Sequence, residues 1–412
     1  MQIKQLMSAV SLALCGILLW APFATAATYM YDKTDTLTSP VSENDKQWLP
    51  TVAAVTGNAL SIGGKSAVLL EQQSGKILFE KASHEKLPIA SVTKIMTLLL
   101  TMEALDGGLI KYDDKVTCSA TAASMGGSQI WLEQGETMTV DELLKAVAVV
   151  SANDASAALA EHLCGTIENF VARMNERANE LGMQDTKFLD CSGLNDEAYS
   201  SAHDVAVMAR QLMMHEGVQK YTTIWMDSLR DGKSQLVNTN KLVRHYNGAT
   251  GLKTGTTQKA GHCLAATAKR GDIAFVAVIL GCENTDERFG GARAMLDYGF
   301  ANFSLFTPTL PPDAQQQVAV THGKQDTVTV KADNTAPILL KKGQDKQVTS
   351  IVELAESIKA PVEQGQILGT WRLQCGEEVL CEIPLRAAQN VGKMTVGSAF
   401  LVLLQSLIGQ SA

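Results

Sequence analysis

The sequence predicts an α+β protein in which an antiparallel sheet flanked by helices is followed by a β-rich C-terminal domain. Before residue 304, strand-like apolar runs such as 66–71 and 273–280 are mixed with long helix-like segments such as 140–150 and 155–163. This mixture, with no regular alternation of strand and helix, is typical of a sheet covered by helices.

A cluster of three prolines between residues 308 and 312 then marks a linker. Beyond it, short alternating runs such as 317–320 and 327–330 predict a small β-rich domain in which no residue looks catalytic. The chain of 412 residues is long enough for two domains, which we place at residues 50–304 and 305–390.

The N-terminus predicts export. Residues 1–26 have the pattern of a secretory signal peptide, with a basic Lys4, an apolar core over 8–20 and small residues before the expected cleavage after Ala26. We expect residues 27–49 to form a flexible polar leader. The mature protein is therefore expected outside the cytoplasm, attached to the outer face of the cytoplasmic membrane.

The C-terminal segment, residues 391–412, is expected to associate with that membrane. Residues 394–412 carry no charged side chain, and as a helix they would be about 28 Å long, which is marginal for a span. Polar residues fall on one side of this helix and large apolar residues on the rest, which favours a helix lying in the membrane interface. A packed C-terminal helix is the alternative.

Composition excludes several function classes. The net charge of −8 argues against nucleic acid as a partner. The seven histidines are scattered singly and the chain has no phosphate-binding or dinucleotide-binding glycine motif, so no metal or cofactor is expected. Of the eight cysteines, Cys15 lies in the signal peptide, and the odd number that remains precludes complete pairing. The offset of Cys375 and Cys381 about Gly376 does not clearly place them opposite each other.

Three short motifs carry the chemistry, and they occur in the order Ser91-Val92-Thr93-Lys94, Ser151-Ala152-Asn153 and Lys253-Thr254-Gly255. A serine hydroxyl needs a base to become a nucleophile, and a lysine three residues later on a helix lies within reach of it. That lysine must be neutral, and both burial and a neighbouring cation such as Lys253 would lower its pKa. The set predicts acyl transfer at a substrate that carries a carboxylate.

Context distinguishes these motifs from chance matches. The segment 83–86 also fits the first pattern and 42–44 fits the second. Ser91, however, opens the apolar run 95–100 after Pro88, which predicts the first turn of a buried helix. Ser151 likewise follows an apolar helix-like segment, whereas the competing matches lie in charged or polar stretches.

The motifs and their surroundings resemble the serine-type D-alanyl-D-alanine carboxypeptidases among the low-molecular-mass penicillin-binding proteins. The resemblance covers residues 50–390 and implies the penicillin-binding protein and β-lactamase-like transpeptidase fold. Beyond the three motifs it rests on the segments 88–90, 123–128, 251–257, 260–261 and 298–300.

The resemblance implies a role for each residue around the reacting bond. Ser91 would attack the carbonyl between two terminal D-alanines of a peptidoglycan stem peptide, forming an acyl-enzyme, with Lys94 as its general base. Ser151 would relay a proton to the leaving amine, and Asn153 would bind the peptide amide. The backbone N–H groups of Ser91 and Thr256 would form the oxyanion hole. Removing the terminal D-alanine would trim cell-wall cross-linking, and β-lactam antibiotics would acylate the same serine.

A second group of residues is implied to bind the terminal carboxylate. Lys253 would supply positive potential, with the hydroxyls of Thr254 and Thr256 close by, and Arg288 lies where the family often has a carboxylate-binding arginine. Gly255 would keep the strand edge open for the substrate backbone. A simple strand bulge is the alternative explanation for this glycine.

One segment departs from the family pattern. Where the family commonly has a proline and a histidine before Gly-Leu, this chain has Cys191-Ser192-Gly193-Leu194. Deacylation rate and substrate preference therefore stay open. For Cys191, a buried inert thiol is favoured over a reactive one.

Two other functions stay open. A β-lactamase would need a carboxylate placed to activate the deacylating water, but Asp185 and Asp190 lie in no suitable motif and 168–169 is a poor match. A non-catalytic penicillin-sensing or wall-binding protein would not need a base-activated nucleophile. The sequence does not separate carboxypeptidase from endopeptidase activity. The C-terminal domain is expected to lift the catalytic domain off the membrane or place it against the wall.

Overall fold

The computed structural model describes residues 60–311 and 316–397, together with residue 400. The predicted signal peptide and leader, and most of the predicted C-terminal membrane segment, lie outside these residues. Within the described ranges, no helix is both long enough and apolar enough to cross a bilayer.

A five-stranded sheet forms the centre of the larger domain, with strand order β2-β1-β9-β8-β7 and antiparallel pairing throughout. The predicted α+β class with an antiparallel sheet is confirmed. Its strands are β1 Ser66–Glu71, β2 Ile77–Lys81, β7 Ala249–Thr257, β8 Gly261–Arg270 and β9 Ile273–Cys282.

Both faces of this sheet are buried, which explains why its strands are continuous apolar runs. Along β1, Val68 and Leu70 pack into one core, while Ala67 and Leu69 pack into another. The first core is shared with most of the helices, and the second mainly with the last helix of the domain. The sheet is thus the middle layer between two helical layers.

In the larger domain, eight of the described helices precede β7, and a ninth follows β9 and closes the domain. They are α1 Lys94–Asp106, α2 Ala120–Ala123, α3 Val140–Val149, α4 Asn153–Cys164, α5 Ile167–Glu180, α6 Ala202–Met213, α7 Gln219–Thr222, α8 Leu242–His245 and α9 Thr285–Asn302. The predicted helices over 140–150 and 155–163 correspond to α3 and α4.

Side-chain caps fix where several of these helices begin. Thr139 and Glu142 form a reciprocal capping box at α3, in which the Thr139 hydroxyl accepts from the Glu142 N–H and the Glu142 carboxylate accepts from the Thr139 N–H. The other capped helices begin after Ser119, Thr166, Ser201 and Asn284. Helix α4 is different, because Ala152 precedes it and offers no side-chain cap.

Two small two-stranded sheets lie beside the helices, and a larger second sheet forms most of the C-terminal domain. The small sheets are β3 Lys115–Thr117 with β4 Thr137–Thr139, and the hairpin β5 Met226–Leu229 with β6 Ser234–Val237. The second sheet has the order β14-β16-β17-β12-β11-β15. Its strands are β11 Gln317–Thr321, β12 Thr327–Ala332, β14 Val348–Leu354, β15 Ser357–Lys359, β16 Ile367–Cys375 and β17 Glu378–Ala387.

The β-rich C-terminal domain is therefore confirmed, and its core is built around Trp371. This side chain is 1% exposed, and its indole N–H donates to Ser350 Oγ at 2.6 Å. One pairing was not predicted: β10 (Phe303–Phe306) joins β13 (Ile338–Lys341) in a separate two-stranded sheet. The predicted domain boundary at residue 304 falls inside β10.

The cysteines of the described chain are free thiols. In the β16–β17 hairpin, Cys381 lies opposite Leu373, and Cys375 lies opposite Glu378. The two thiols are thus out of register, as their offset in the sequence indicated.

Candidate active site

Ser91 lies where the sheet meets the helical layer. It occupies the second position of a 3-10 helix, Ala90–Thr93, that runs directly into α1. Ala90 has a φ of +49°, a conformation that L-residues adopt only under constraint. Ser91 is partly exposed, whereas its neighbours Val92 and Lys94 are buried. The turn therefore presents one hydroxyl at the surface of a packed segment.

Lys94 is completely buried beneath that hydroxyl. Its Nζ lies 3.2 Å from Ser91 Oγ, 2.6 Å from Asn153 Oδ1 and 2.6 Å from the carbonyl oxygen of Ser192. Burial lowers the pKa of Lys94 to about 7, although the carboxylates of Asp190 and Asp154 act in the opposite direction. A large share of this amine is consequently neutral near physiological pH.

The second motif lies across from Lys94, between α3 and α4. Ser151 has a φ of +65° and is 4% exposed, and its hydroxyl has no hydrogen-bond partner within the described residues. Asn153 joins three segments: its N–H donates to Ser128 O at 2.7 Å, its Nδ2 to Gly126 O at 2.6 Å, and its Oδ1 accepts from Lys94. One N–H of the Asn153 amide is left for a ligand.

Strand β7 forms the other wall of the site and carries the third motif. Lys253 is 1% exposed, and its Nζ donates to Thr254 O at 3.0 Å. Burial lowers the pKa of Lys253 well below its ordinary value of 10.5, and the nearby charges of Lys94 and Arg288 lower it further. The charge of Lys94 is thus one cause of the lowered pKa of Lys253, whereas the effect of Lys253 on the pKa of Lys94 stays a prediction.

The hydroxyls of Thr254 and Thr256, in and directly after the third motif, have different surroundings. Thr254 is 7% exposed and its Oγ1 donates to Thr239 Oγ1 at 2.7 Å. Thr256 is exposed, and its Oγ1 accepts from Arg288 Nη1 at 3.1 Å. Arg288, on α9, also donates to Gly255 O at 3.3 Å. The structure therefore brings this arginine from a distant helix to the end of β7.

Gly255 has a structural reason beyond the expected one. A Cβ at this position would lie 2.5 Å from Ile89 O, 3.0 Å from Val92 N and 3.1 Å from Ser91 N. These are backbone atoms of the serine turn. Glycine is required here because β7 packs directly against that turn, and room for a substrate backbone is not needed to explain it.

The loop that departs from the family pattern forms the floor of the site. Gly193 has a φ of +80°, and a Cβ there would meet Ala90 O at 1.9 Å, so this loop also packs against the serine turn. Asp190 accepts from the backbone N–H groups of Ser192 and Asn195, at 2.6 Å each. Burial raises the pKa of the Cys191 thiol to about 12, so the expectation of an inert thiol fits its surroundings.

Sequence reasoning missed the Ser192 carbonyl and the Asp190 carboxylate as parts of the site. A backbone carbonyl carries no side-chain signature, and the only signal was the unusual 191–194 segment itself. The competing Ser83 match is excluded by geometry, because its hydroxyl is buried and donates to Glu80 at 2.8 Å. The 42–44 match lies outside the described residues.

A serine beside a buried lysine, between an antiparallel sheet and a helical layer, places the protein among the serine-type penicillin-binding proteins. Residues 53–284 match the family described as D-alanyl-D-alanine carboxypeptidase, and residues 305–393 match the domain described as penicillin-binding protein 5, C-terminal domain. The chain belongs to the D-alanyl-D-alanine carboxypeptidase family.

Individual relatives support the same membership. The chain is 44% identical over 350 residues to D-alanyl-D-alanine carboxypeptidase DacF of Bacillus subtilis, covering 84% of this chain and 89% of that protein. It is 33% identical to DacC of Escherichia coli, covering 82% and 87% respectively. Both relatives match along nearly their whole length.

Solved structures show the same architecture. Penicillin-binding protein 5 of Haemophilus influenzae has a TM-score of 0.71 and 28% identity, and the match covers 82% of this chain and all of that one. Penicillin-binding protein D2 of Listeria monocytogenes, in its ampicillin-bound form, has a TM-score of 0.54 and 30% identity, covering 59% of this chain and all of that one.

Proposed function

We propose that this protein is a serine D-Ala-D-Ala carboxypeptidase that releases the terminal D-alanine of peptidoglycan stem peptides through an acyl-enzyme on Ser91. The observation that carries the proposal is Lys94, whose Nζ lies 3.2 Å from Ser91 Oγ and whose pKa is about 7. Family membership and the 44% identity to a named D-alanyl-D-alanine carboxypeptidase support the substrate.

The contacts of Lys94 support its role as general base. Asn153 Oδ1 and Ser192 O can only accept hydrogen bonds, and each lies 2.6 Å from Nζ. A neutral amine has two N–H groups and one lone pair. Donating both N–H groups to these oxygens directs the lone pair toward Ser91 Oγ, so that the serine O–H becomes the donor and its proton can pass to Nζ.

The attack of Ser91 Oγ forms a bond to the carbonyl carbon and places negative charge on the carbonyl oxygen. The N–H groups of Ser91 and Thr256 are the proposed donors to that oxygen, and β7 packs closely enough on the serine turn to bring them together. One such donor contributes roughly 3 kcal/mol in comparable enzymes. Collapse of the intermediate breaks the C–N bond, and Ser151 passes the proton held by Lys94 to the departing D-alanine amine.

Four groups at the end of β7 form the proposed carboxylate subsite. Lys253 is buried, so binding of the terminal carboxylate would favour its protonated form, which then supplies positive potential to that anion. The exposed Thr256 hydroxyl accepts from Arg288 Nη1 at 3.1 Å and donates to Gly255 O at 2.8 Å, and it would turn its O–H from that carbonyl to the substrate carboxylate. Thr254, whose hydroxyl donates to Thr239, lines the same end of the strand and fixes its position.

Water then hydrolyses the acyl-enzyme, and Lys94 is again the base within reach of the reacting carbon. A β-lactam would acylate Ser91 by the same first step, because its strained amide replaces the scissile peptide bond. The solved Listeria monocytogenes relatives described as ampicillin-bound and cefotaxime-bound support β-lactams as ligands. No cofactor is required by this reaction.

The proposed location is the outer face of the cytoplasmic membrane. It is supported by the secretory pattern of residues 1–26 and by the uncharged, amphipathic pattern of residues 394–412. Peptidoglycan, the proposed substrate, lies on that side of the membrane.

The direct test is release of free D-alanine from a stem pentapeptide that ends in D-Ala-D-Ala. The mature protein is compared with Ser91→Ala, and circular dichroism confirms that both are folded. We expect release by the mature protein and a loss of at least about a thousandfold in the variant. No release by the folded mature protein would contradict the proposal, and cleavage of cross-linked dimers alone would indicate an endopeptidase.

A further inference from the structure

Trp131 combines two unusual properties. Its side chain is 76% exposed, and its backbone has a φ of +59°. Single exposed apolar residues are common, but a bulky residue with positive φ is a genuine outlier. Such strain persists only where the surrounding structure imposes it, and it concentrates at functional sites.

A buried carboxylate holds the turn from inside. Asp154 is 1% exposed, and its Oδ2 accepts from the N–H of Ile130 at 3.1 Å and from the N–H of Leu132 at 3.0 Å. The residues on both sides of Trp131 are thereby fixed by one charged group. Charge-assisted hydrogen bonds of this kind are among the stronger ones in proteins.

A guanidinium holds the same turn from the opposite side. Arg230 Nη1 donates to Ile130 O at 2.8 Å, and its Nη2 donates to Trp131 O at 3.3 Å. The guanidinium is itself held by Glu136, at 2.6 Å and 3.0 Å. The backbone around Trp131 is therefore rigid, while its indole is left in solvent.

This turn continues the wall of the active site. Within 126–132, Gly126 and Ser128 accept hydrogen bonds from Asn153, and Asp154 then holds the turn at Trp131. The first turn of α4 thus contacts Lys94 through Asn153, and its next residue, Asp154, holds the backbone on both sides of Trp131. Leu194, which is 46% exposed, lies on the same rim, with its Cδ2 3.3 Å from the Cβ position of Gly127.

We propose that Trp131 binds the part of the stem peptide that precedes the two terminal D-alanines, and so determines specificity for the length of the peptide. This inference rests on the proposed function. With the terminal carboxylate at the β7 end of the site and the upstream amide at Asn153, the remaining peptide must leave past the 126–132 wall. An indole face there can cover the aliphatic part of an upstream residue, which removes apolar surface from water.

The test measures D-alanine release from three substrates. They are N-acetyl-D-Ala-D-Ala, the free stem pentapeptide and the pentapeptide attached to its disaccharide. For Trp131→Ala we expect KM for the free pentapeptide to rise about tenfold with kcat changed less than twofold, and kcat/KM for the dipeptide to stay unchanged. Trp131→Phe should retain most of the affinity, and Val379→Ala, at a half-exposed apolar residue of the C-terminal domain, should match the parent.

Three results would overturn the inference. An equal loss on dipeptide and pentapeptide would indicate a general effect on the site. A loss seen only when the disaccharide is attached would place the sugar on Trp131 instead of the peptide. No loss on any substrate would remove Trp131 from substrate binding.

A binding measurement separates this inference from the proposed function. Calorimetry of the pentapeptide with Ser91→Ala, with and without Trp131→Ala, reports affinity without turnover. We expect about tenfold weaker binding when Trp131 is removed, and equal binding would refute the inference whether or not the parent protein releases D-alanine.

Discussion

Replacing Gly255 by alanine tests whether the contact between β7 and the serine turn sets the catalytic geometry. The added Cβ would lie 2.5 Å from Ile89 O and 3.1 Å from Ser91 N. Both are backbone atoms, which cannot rotate away as a flexible side chain would. The strand and the turn must therefore move apart.

The size of that movement follows from the contact distances. Ordinary contacts of a Cβ begin at 3.4 Å, so the pair now at 2.5 Å must separate by about 0.9 Å. The separation moves the N–H of Thr256 away from that of Ser91. A misplacement of about 1 Å costs on the order of 100-fold in rate, and loss of one oxyanion donor costs about 100-fold to 1,000-fold. We expect the second-order rate constant of acylation to fall at least about 100-fold. Overpacking should also lower the free energy of unfolding by about 1–3 kcal/mol.

The assay is the second-order rate of acylation by benzylpenicillin, with thermal unfolding measured in parallel. Gly290→Ala is the matched control, because nothing lies within 4 Å of its Cβ position and it lies inside α9. That control should acylate at the parental rate and gain about 0.5–1 kcal/mol in the free energy of unfolding. If Gly255→Ala were acylated at the parental rate, the contact between β7 and the serine turn would not set the catalytic geometry.

Further predictions concern the buried base and one helix cap. Because the neutral form of Lys94 is the active one and its pKa is about 7, the rate of acylation should rise with pH through about 7, which stopped-flow measurements at several pH values would show. Lys94→Arg, whose side chain stays charged, should be inactive. Asp190→Asn removes a charge that raises the pKa of Lys94, so the acidic limb of that profile should move to lower pH; an unmoved limb would exclude this coupling. Between pH 7 and 10.5, Lys94 is protonated in the unfolded chain but largely neutral in the folded one, so the unfolded chain binds more protons. The free energy of unfolding of the parent, relative to that of Lys94→Met, should therefore rise with pH by up to about 1.4 kcal/mol per pH unit in that window. A pH-independent difference in urea unfolding would contradict this. Thr139→Ala should cost about 1 kcal/mol in the same unfolding experiment and leave acylation of the folded protein unchanged, because it removes only the cap of α3.

The sequence was most informative where side-chain identity carries the chemistry. The order and context of the motifs predicted that Ser91, Lys94 and Asn153 act together. In the structure, the amine of Lys94 contacts both Ser91 Oγ and Asn153 Oδ1. The lowered pKa of Lys94 was also predictable, since an apolar helix implies burial. The strands at 66–71 and 273–280 and the helices at 140–150 and 155–163 were predictable for the same reason, because continuous apolar runs have few alternatives to the core.

The sequence was least informative where the backbone acts. The Ser192 carbonyl contacts Lys94 through an atom that every residue has, so nothing in the sequence distinguishes it. The packing reason for Gly255 was missed because a glycine does not reveal which neighbour needs the space. The pairing of β10 with β13 depends on a contact between distant segments that local patterns do not encode.

The most direct test of the account is to locate the acyl group. The mature protein is treated with benzylpenicillin and digested with trypsin, and the peptide 87–94, which holds Ser91 and Thr93 as its only hydroxyls, is analysed by tandem mass spectrometry. The account predicts one penicilloyl adduct on Ser91 and none anywhere in the Ser91→Ala variant. An adduct on another residue, such as Ser151, or D-alanine release that survives in Ser91→Ala, would contradict it.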